Sequence, residues 1–242
     1  MLIIGMTCYN TEKYIAKAIE SVKLQKEQKW KCYITNDLST DNSVDVINKH
    51  IGDDKRFVLI NNTTKHWQAG NYWQICHHKD VKEKDIFVEL DSDDWFADAD
   101  VLTRVKEYYK DPNVWLSFGS FKYADGRMGF ARPPVGGIHN QRISHAFTTS
   151  HLRAFRVSLF RKLELADICE DDGTTFIPFS GDLFFFQCML ELCGDEHYKF
   201  CTDINYVYND NDGSEHIVGM DKVIHYTNMA KTRPPKNVLE SL

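Results

Sequence analysis

The chain has 242 residues, an apolar share of 43% and a formal net charge of −6. This length suits one domain with a sizeable core, and the acidic balance argues against general binding to nucleic acid or anionic membranes. Its seven cysteines lack CxxC or zinc-finger spacing, which favours free thiols in a reducing compartment over a disulfide framework or structural zinc.

The amino-terminal residues 1–5 form a short apolar run without a basic leader or a signal-length apolar core. No apolar run in the chain approaches the roughly 18 residues that a membrane-spanning helix needs. These features predict a cytoplasmic protein without a transmembrane segment.

Short apolar runs and helical repeats alternate through the first half of the chain. Strands are predicted at residues 2–7, 31–36, 56–60 and 85–90, and helices at residues 14–22, 69–78 and 97–110, with one more helix through Ile47 capped by Ser39, Thr40 or Asp41. This alternation predicts a mostly parallel sheet covered by helices on both faces. Ligands bind such sheets beyond the carboxyl ends of the strands, so the loops after Thr7, Asn36 and Leu90 are expected to share one crevice.

The second half of the chain is less regular. Its patterns predict a strand at residues 115–121, a hairpin turn at Asp125-Gly126, a strong helix at residues 181–193 closed by Gly194, and a short strand at residues 206–208. The segment from Asp221 is polar and mainly basic. No repeat or linker divides the chain, so we predict one domain over residues 1–219, followed by a polar basic tail at residues 220–242.

The tetrapeptide Asp91-Ser92-Asp93-Asp94 follows the fourth predicted strand. Three carboxylates at the end of one strand repel each other, and a cation or water is needed to reduce this repulsion. Mg²⁺ and Mn²⁺ bind carboxylate oxygens and the oxygens of a diphosphate at the same time, so this DXD-type motif indicates a metal site. A solvated acidic turn that caps the next helix would explain the same residues without a ligand.

Motifs at three strand ends carry a family resemblance. They are Tyr9-Asn10-Thr11-Glu12-Lys13-Tyr14-Ile15, Asn36-Asp37-Leu38-Ser39-Thr40-Asp41-Asn42-Ser43 and Leu90-Asp91-Ser92-Asp93-Asp94. In this order they resemble the YN-x-E-x-Y-I, D-D-G-S-T-D-x-S and L-D-x-D-D patterns of the family 2 glycosyltransferases. That resemblance implies an α/β fold with a single GT-A domain, which is a Rossmann-like nucleotide-diphospho-sugar transferase domain with a mostly parallel central sheet.

The second half resembles one branch of that family. The segments concerned are Ser150-His151-Leu152-Arg153-Ala154-Phe155, the predicted helix from Gly181-Asp182, and Tyr206-Val207-Tyr208-Asn209. The resemblance divides the domain into a nucleotide-sugar-binding half at residues 1–97 and an acceptor-binding half at residues 98–219. Three positions depart from the family pattern, because Asn36 replaces Asp, Leu38 replaces Gly, and Gly181 stands where Glu is usual.

The resemblance implies a nucleotide-sugar donor bound beside these loops. The residues that it places against the donor are Thr7, Tyr9, Asn10, Glu12, Asp37, Asn71, Asp91 and Ser92. Asp37 could accept a hydrogen bond from the imide N–H of uracil, although guanine could serve the same carboxylate. UDP is favoured over GDP by the resemblance alone. Asp37 could instead open an Asx-turn and contact no ligand.

A metal ion and a catalytic base follow from the same resemblance. Mn²⁺ or Mg²⁺ would be held by Asp93 and Asp91, with His216 or Asp212 as a further ligand, and would neutralise the departing diphosphate. Asp182 is the candidate general base, which would accept the proton of the acceptor hydroxyl and give inversion at the anomeric carbon. The alternative is that Asp182 merely caps its own helix.

Residues 127–162 contain no Asp or Glu but seven Arg or Lys residues. Arg153 and Arg156 are predicted to reach the donor diphosphate, because arginine binds phosphate in bidentate fashion. A polyanionic acceptor such as DNA or a lipid phosphate, or a merely solvated basic face, would explain the same composition.

The sequence therefore predicts an inverting, metal-dependent glycosyltransferase that acts on a glycan, a lipid-linked glycan or a modified DNA base. One alternative is a nucleotide-sugar-binding protein without turnover. The other is a phosphohydrolase with an Asp-x-Asp nucleophile, although such enzymes place that motif after the first strand.

Overall fold

The computed structural model describes residues 1–143, 148–210 and 220–242. The strands of these residues are β1 Leu2–Cys8, β2 Trp30–Asn36, β3 Phe57–Asn61, β4 Ile86–Glu89, β5 Trp95–Phe96, β6 Leu116–Tyr123, β7 Ala154–Arg156 and β8 Tyr198–Tyr208. They form one eight-stranded sheet in the order β3-β2-β1-β4-β7-β6-β8-β5.

Helices cover both faces of this sheet. They are α1 Ile15–Lys23, α2 Ser43–Ile51, α3 Trp67–Cys76, α4 Val101–Tyr108, α5 Ile138–Ile143, α6 Val157–Phe160, α7 Leu165–Ile168, α8 Gly181–Cys193 and α9 Met220–Thr232. The predicted α/β class is confirmed, and the helix predicted at residues 181–193 has the predicted bounds. The second helix begins after Asn42 rather than after Ser39, Thr40 or Asp41.

The first four strands in the sheet order form its parallel part. β1 pairs in parallel with β2 and β4, and β2 pairs in parallel with β3. Beyond β4 the directions change, because β7 runs antiparallel to both β4 and β6, while β6 and β8 are parallel. The parallel part therefore presents the carboxyl ends of β1, β2 and β4 at one edge.

Two apolar cores lie on opposite faces of the sheet, because successive residues of a strand point to opposite sides. Ile4 of β1 packs with Ile15 and Ile19 of α1 in one core. Ile3 packs in the other core, which also contains Phe185 of α8. α8 is apolar on nearly all sides and buried over most of its length, as expected for a helix inside the core.

β8 is longer than its sequence pattern predicts. The prediction covered residues 206–208, whereas the strand spans eleven residues, Tyr198–Tyr208. Thr202 and Asp203 are exposed in its middle and interrupt the apolar pattern. A shift in register between Gly119 and Phe121 of β6 accommodates the pairing of these two long strands.

The carboxyl-terminal segment is a packed helix and not only a polar tail. Ala230 of α9 is buried against the core cluster that contains Phe184 of α8. The buried guanidinium of Arg142 donates to the carbonyl oxygen of Ala230 at 2.7 Å and pairs with Glu191 of α8. The predicted boundary at residue 219 falls outside the described residues. Among the described helices, none combines the length and apolarity required to cross a bilayer.

Four non-glycine residues of the described chain have positive φ angles. They are Asn10 at 54°, Leu38 at 68°, Trp67 at 55° and Ser180 at 54°. Each lies in a connection that leaves a parallel strand or enters α3 or α8. Such backbone costs about 1–3 kcal/mol per residue and persists where surrounding contacts enforce it, commonly at ligand sites.

We predict that Leu38→Gly stabilises the fold, because this position has the left-handed backbone that glycine adopts freely and the leucine is 39% exposed. The left-handed conformation costs an L residue roughly 1–2 kcal/mol, and glycine removes this cost from the folded state. Glycine also raises the entropy of the unfolded chain, which offsets about 0.5–1 kcal/mol of that stabilisation. Urea unfolding should therefore show a net increase of about 0.5–1 kcal/mol in the free energy of unfolding.

Leu24→Gly is the matched control, because Leu24 is also exposed but has a φ of −72°. It should lower the free energy of unfolding by about 0.5–1 kcal/mol, the usual entropic cost of glycine. Equal destabilisation by both substitutions would show that Leu38 is not strained.

Candidate active site

The carboxyl ends of β1, β2 and β4 meet at one edge of the sheet. Thr7 near the end of β1 lies in register with Thr35 of β2. The amide of Asp37 donates to the carbonyl oxygen of Cys8 at 2.8 Å, and the amide of Leu90 donates to that of Gly5 at 3.1 Å. The three loops that carry the sequence motifs therefore start side by side, as the parallel sheet predicts.

Side chains of the first loop hold the second loop in place. The amide of Thr40 donates to Oδ1 of Asn10 at 2.7 Å, and the amide of Asn42 donates to Oε2 of Glu12 at 2.9 Å. In return, the amide of Glu12 donates to Oδ2 of Asp41 at 3.0 Å. Asn10 and Glu12, predicted to contact the donor, thus shape the loops around it.

Asp37 is a buried carboxylate that organises the start of α3. Its Oδ1 accepts hydrogen bonds from Nδ2 of Asn62 at 2.8 Å and from the amide of His66 at 2.9 Å. Its Oδ2 accepts the amide of Trp67 at 2.9 Å and lies 3.5 Å from Nζ of Lys65. Since a carboxylate oxygen accepts about two hydrogen bonds, Oδ2 is the atom with capacity for a further donor.

Tyr9, Asn71 and Ser92 lie around this loop cluster. The exposed ring of Tyr9 faces Nζ of Lys65 at 3.2 Å from the ring centroid. Nδ2 of the buried Asn71 has no hydrogen-bond partner among the described residues, although its Oδ1 accepts from Asn62 at 2.8 Å. Oγ of Ser92 is buried and accepts a hydrogen bond from Oγ1 of Thr11 at 3.0 Å.

Asp91 lies within a group of buried polar side chains. Nε2 of Gln68 donates to Oδ1 of Asp91 at 3.3 Å and to Oε1 of Glu89 at 3.2 Å. The hydroxyl of Tyr206 donates to Oδ2 of Asp91 at 3.3 Å. Burial raises the pKa of Glu89 to about 7, and burial together with the charge of Glu89 raises the pKa of Asp91 well above its usual value.

Asp93 and Asp94 differ in their surroundings. Oδ1 of the fully buried Asp94 accepts the amide of Asn209 at 2.7 Å, which ties the loop to the end of β8. Burial, and then the charge of Asp93, raises the pKa of Asp94 to about 7. Asp93 is half-buried, and burial raises its pKa as well. Crowded carboxylates with raised pKa values are sites that a cation would stabilise in the charged form.

The described residues contain one group with the spacing of metal ligands, formed by Glu89, Asp91 and His151. One ligand atom from each residue lies within 4.8 Å of the others. Nδ1 of His151 is buried without a hydrogen-bond partner among the described residues, and burial keeps the pKa of this histidine well below its usual value. The two carboxylates fit Mn²⁺ or Mg²⁺ in ligand type, and the neutral imidazole favours the transition metal Mn²⁺ over Mg²⁺, which takes oxygen ligands.

This group differs from the predicted ligand set. Asp91 belongs to both sets, whereas Asp93 is not part of the group formed by Glu89, Asp91 and His151. The predicted ligand His216 and its alternative Asp212 lie outside the described residues. Glu89 and Gln68 were not among the site residues predicted from the sequence. A charged residue within the otherwise apolar strand Ile86–Glu89 was the available signal for Glu89, since buried charges are rare unless they are paired or functional.

Arg153 connects this acidic group to α8. Its Nη2 lies 2.8 Å from Oδ2 of Asp182, and its Nη1 lies 3.4 Å from Oε1 of Glu89. The guanidinium is buried, whereas 29% of the Asp182 side chain is exposed. Asp182 occupies the first turn of α8 and thus joins the edge formed by the three parallel strands.

Arg156 lies away from this edge. In the antiparallel pairing of β4 and β7, Arg156 lies opposite Ile86 at the start of β4, whereas Asp91 follows the end of that strand. Nε of Arg156 donates to the carbonyl oxygen of Val114 at 2.9 Å. The structure therefore does not bring Arg156 together with the other predicted site residues.

The basic side chains of residues 127–162 differ in their partners. Arg142 pairs with Glu191 in the interior, and Arg127 pairs with Asp125 and Asp210 although 61% of its side chain is exposed. Arg161 donates to backbone carbonyl oxygens, including that of Cys76 at 2.9 Å, whereas Arg132 and Lys162 are exposed. Internal contacts therefore use part of the positive charge that a polyanion-binding surface would need.

The sequence matches the family model described as "Glycosyl transferase family 2" over residues 3–164. Among curated proteins, the chain is 36% identical over 123 residues to the teichoic acid poly(glycerol phosphate) polymerase of Staphylococcus epidermidis. That alignment covers 50% of this chain and 16% of the polymerase. The chain thus spans a small part of the length of this relative.

Solved structures share the fold. TarS of S. aureus, residues 1–349 in complex with UDP-GlcNAc, superposes with a TM-score of 0.66 at 14% identity, covering 95% of this chain and 66% of that chain. The mannosyltransferase PcManGT of Pyrobaculum calidifontis, in complex with GDP-Man and Mn²⁺, gives a TM-score of 0.64 at 16% identity, with coverage of 89% and 59%. These similarities confirm the predicted GT-A fold.

We predict that Glu89→Gln changes the pH dependence of stability. A carboxyl group whose folded pKa is raised stabilises the fold fully below its unfolded pKa, and this contribution is lost as pH rises through the folded pKa. For Glu89 the window runs from 4.5 to about 7. We expect urea unfolding in the presence of EDTA to show this as a difference in the free energy of unfolding. The value for the variant minus that for the wild type should increase by about 3 kcal/mol from pH 4.5 to pH 8.

Glu83→Gln is the matched control, because Glu83 is exposed in the turn before β4. Its stability profile should run parallel to that of the wild type. Parallel profiles for Glu89→Gln and the wild type would contradict the raised pKa.

Proposed function

The chain belongs to glycosyl transferase family 2, and from that premise we propose that it moves a sugar from a nucleotide-diphosphate sugar to an acceptor hydroxyl. The observation that carries the proposal is the meeting of three features at one sheet edge. These are the Asp37 loop, the acidic group around Asp91, and Asp182 linked to that group by Arg153.

The donor would lie across the loops after β1 and β2. We propose that Oδ2 of Asp37 accepts the imide N–H of uracil, with Thr7, Tyr9 and Asn71 beside the nucleotide. Nδ2 of Asn71 supports this assignment, because a buried amide donor without a partner gains from a ligand acceptor. TarS binds UDP-GlcNAc and PcManGT binds GDP-Man. We favour UDP for this chain on the family resemblance alone.

Mn²⁺ or Mg²⁺ would be held by Asp91 and Asp93, with Glu89 and His151 within reach of the same ion. A bound divalent cation would supply Lewis-acid stabilisation of the leaving diphosphate. Ser92 would hold the turn between its metal-binding neighbours through its contact with Thr11. The raised pKa values of these carboxyl groups support a cation as their natural counter-charge.

Asp182 would act as the general base. Its half-buried side chain would accept the proton of the acceptor hydroxyl while the acceptor oxygen bonds to the anomeric carbon. The bond from that carbon to the diphosphate breaks at the same time, and the nucleoside diphosphate leaves with the bonding electron pair. One displacement inverts the configuration at the anomeric carbon. Arg153 would be a positioning residue, because it fixes Oδ2 of Asp182 at 2.8 Å.

In this proposal, residues 1–97 bind the donor, and residues 98–219 supply the base and the residues that position it. Asp182 contributes from the second part, and Arg153 and His151 of that part reach the acidic group of the first. The acceptor hydroxyl would therefore approach from the side of α8.

We predict that Asp182→Asn lowers kcat for sugar transfer by about 10²–10⁴-fold, because the amide cannot accept the hydroxyl proton. The dissociation constant of the donor, measured by calorimetry, should stay within about twofold of the wild-type value. Asp45→Asn is the control, since Asp45 lies exposed in the first turn of α2. A kcat of Asp182→Asn equal to that of the wild type would exclude the base role.

We predict that EDTA abolishes transfer and that Mn²⁺ restores it. Asp91→Asn should weaken Mn²⁺ binding at least about tenfold, because it removes a charged oxygen ligand. Free Mn²⁺ measured by electron paramagnetic resonance gives this affinity without an activity assay. Asp53→Asn, in an exposed turn after α2, should bind Mn²⁺ as the wild type does. Undiminished turnover in EDTA would rule out the metal.

A further inference from the structure

An open cleft of about 420 Å³ lies between the start of α3 and the first turns of α9. We call it the aromatic cleft, and the lining residues that matter here are Trp67, Phe179, Asp221, Lys222, His225 and Tyr226. None of them belongs to the proposed donor site, the acidic group or the base. Small-molecule sites commonly combine such aromatic walls with a few polar groups.

The two residues that form the inner walls of the aromatic cleft belong to segments that continue to the catalytic group. Trp67 directly precedes Gln68, whose Nε2 contacts Glu89 and Asp91. Phe179 lies three residues before Asp182 in the segment that enters α8. The two segments approach each other closely, because a Cβ placed on Gly181 would lie 3.6 Å from Ala69 of α3. Asp182 itself does not line the cleft, so a saccharide in the cleft would have to extend past Phe179 to bring a hydroxyl to this carboxylate.

The aromatic walls are held in place. The ring centroids of Trp67 and Phe179 are 5.4 Å apart, and those of Phe179 and Tyr226 are 5.8 Å apart. The hydroxyl of Tyr226 donates to Oε1 of Glu170 at 2.5 Å. The amide of Trp67 is bound to Asp37, which enforces the left-handed backbone at this residue. The rings are thus held in position before a ligand binds, which lowers the ordering cost of binding. Nζ of Lys222 lies 5.7 Å from the centroid of Phe179, and Nζ of Lys65 lies 5.0 Å from that of Trp67, so a stacking sugar would displace these ammonium groups from the ring faces.

The charge of the aromatic cleft argues against a polyanionic occupant. Its lining carries one carboxylate, Asp221, and one ammonium group, Lys222, so the two formal charges cancel. A nucleic acid or polyphosphate would require an excess of cations. The described lining contains no arginine, and Arg142 and Arg153 are buried in pairs with Glu191 and with Asp182 and Glu89.

We propose that the aromatic cleft is the acceptor site and that its acceptor is a neutral saccharide. The apolar C–H face of a sugar ring would stack on Trp67 and Phe179, because aromatic faces combine apolar area with a negative quadrupole. Asp221, Lys222 and His225 offer acceptors and donors for ring hydroxyls. This assignment rests on the proposed function, since the bound saccharide presents the hydroxyl whose proton passes to Asp182.

The test compares Phe179→Ala with the matched control Phe130→Ala, whose ring is 65% exposed on a separate loop. Methyl glycosides and neutral disaccharides are the probes, and their binding is measured by saturation-transfer NMR and by tryptophan fluorescence. Phe179→Ala should weaken saccharide binding, and raise the acceptor KM, by roughly tenfold, with the donor dissociation constant unchanged. Phe130→Ala should match the wild type.

Phe179→Tyr should restore saccharide binding, which separates loss of stacking from loss of structure. His225→Ala is the second variant, because His225 is exposed and its removal tests the cleft without disturbing the core. It should weaken saccharide binding by a few-fold, as expected for loss of one hydrogen bond. Thermal unfolding of each variant reports any loss of the fold.

Three outcomes would overturn the acceptor assignment. The first is equal saccharide binding by Phe179→Ala and the wild type. The second is the absence of saccharide binding to the wild type. Binding of a single-stranded DNA oligonucleotide that depends on Phe179 would point to a nucleobase instead. Failure of the proposed function has a different signature, namely no turnover of any nucleotide sugar while saccharides still bind in the cleft.

Discussion

The burial of like-charged carboxylates beside the guanidinium of Arg153 is the constraint on which this site depends. Glu89 lies inside the sheet and Asp91 directly beyond it, and burial raises the pKa of both. Arg153 offsets part of this cost through its contacts with Glu89 and Asp182. A buried pair of this kind gives little net stability. Such a pair is consistent with a function that requires charge at this edge.

The same contact connects the two parts of the domain. Arg153 reaches Glu89 across 64 positions of sequence and Asp182 across 29. It thereby fixes the start of α8 relative to the end of β4. In the proposed reaction, the base on α8 and the cation site after β4 must keep a defined separation, because misplacement by about 1 Å can cost roughly a hundredfold in rate. A buried guanidinium with two carboxylate partners supplies that rigidity.

The sequence predicted the features that depend on neighbouring residues along the chain. Apolar runs followed by Asp37 and Asp91 located the strand ends, and the parallel alternation predicted that these ends would meet. It misjudged features that depend on distant partners. The acid-free segment suggested an anion site at Arg153 and Arg156, whereas Arg153 faces carboxylates of β4 and α8 and Arg156 lies at the other end of its strand. No local pattern encodes such pairings.

The acceptor side depends on the part of the chain whose sequence was least informative. α9 was predicted as a polar tail, because its apolar contacts are few and Ala230 is small. It is anchored instead through Arg142, whose buried guanidinium bonds both Glu191 and the carbonyl oxygen of Ala230. The donor loops make none of these contacts. A change in α9 can therefore alter one wall of the aromatic cleft without disturbing the carboxylates after β4. The opposite wall is tied to the donor side, because the amide of Trp67 is bound to Asp37. Under the proposed acceptor assignment, α9 is thus the wall that can vary with the acceptor.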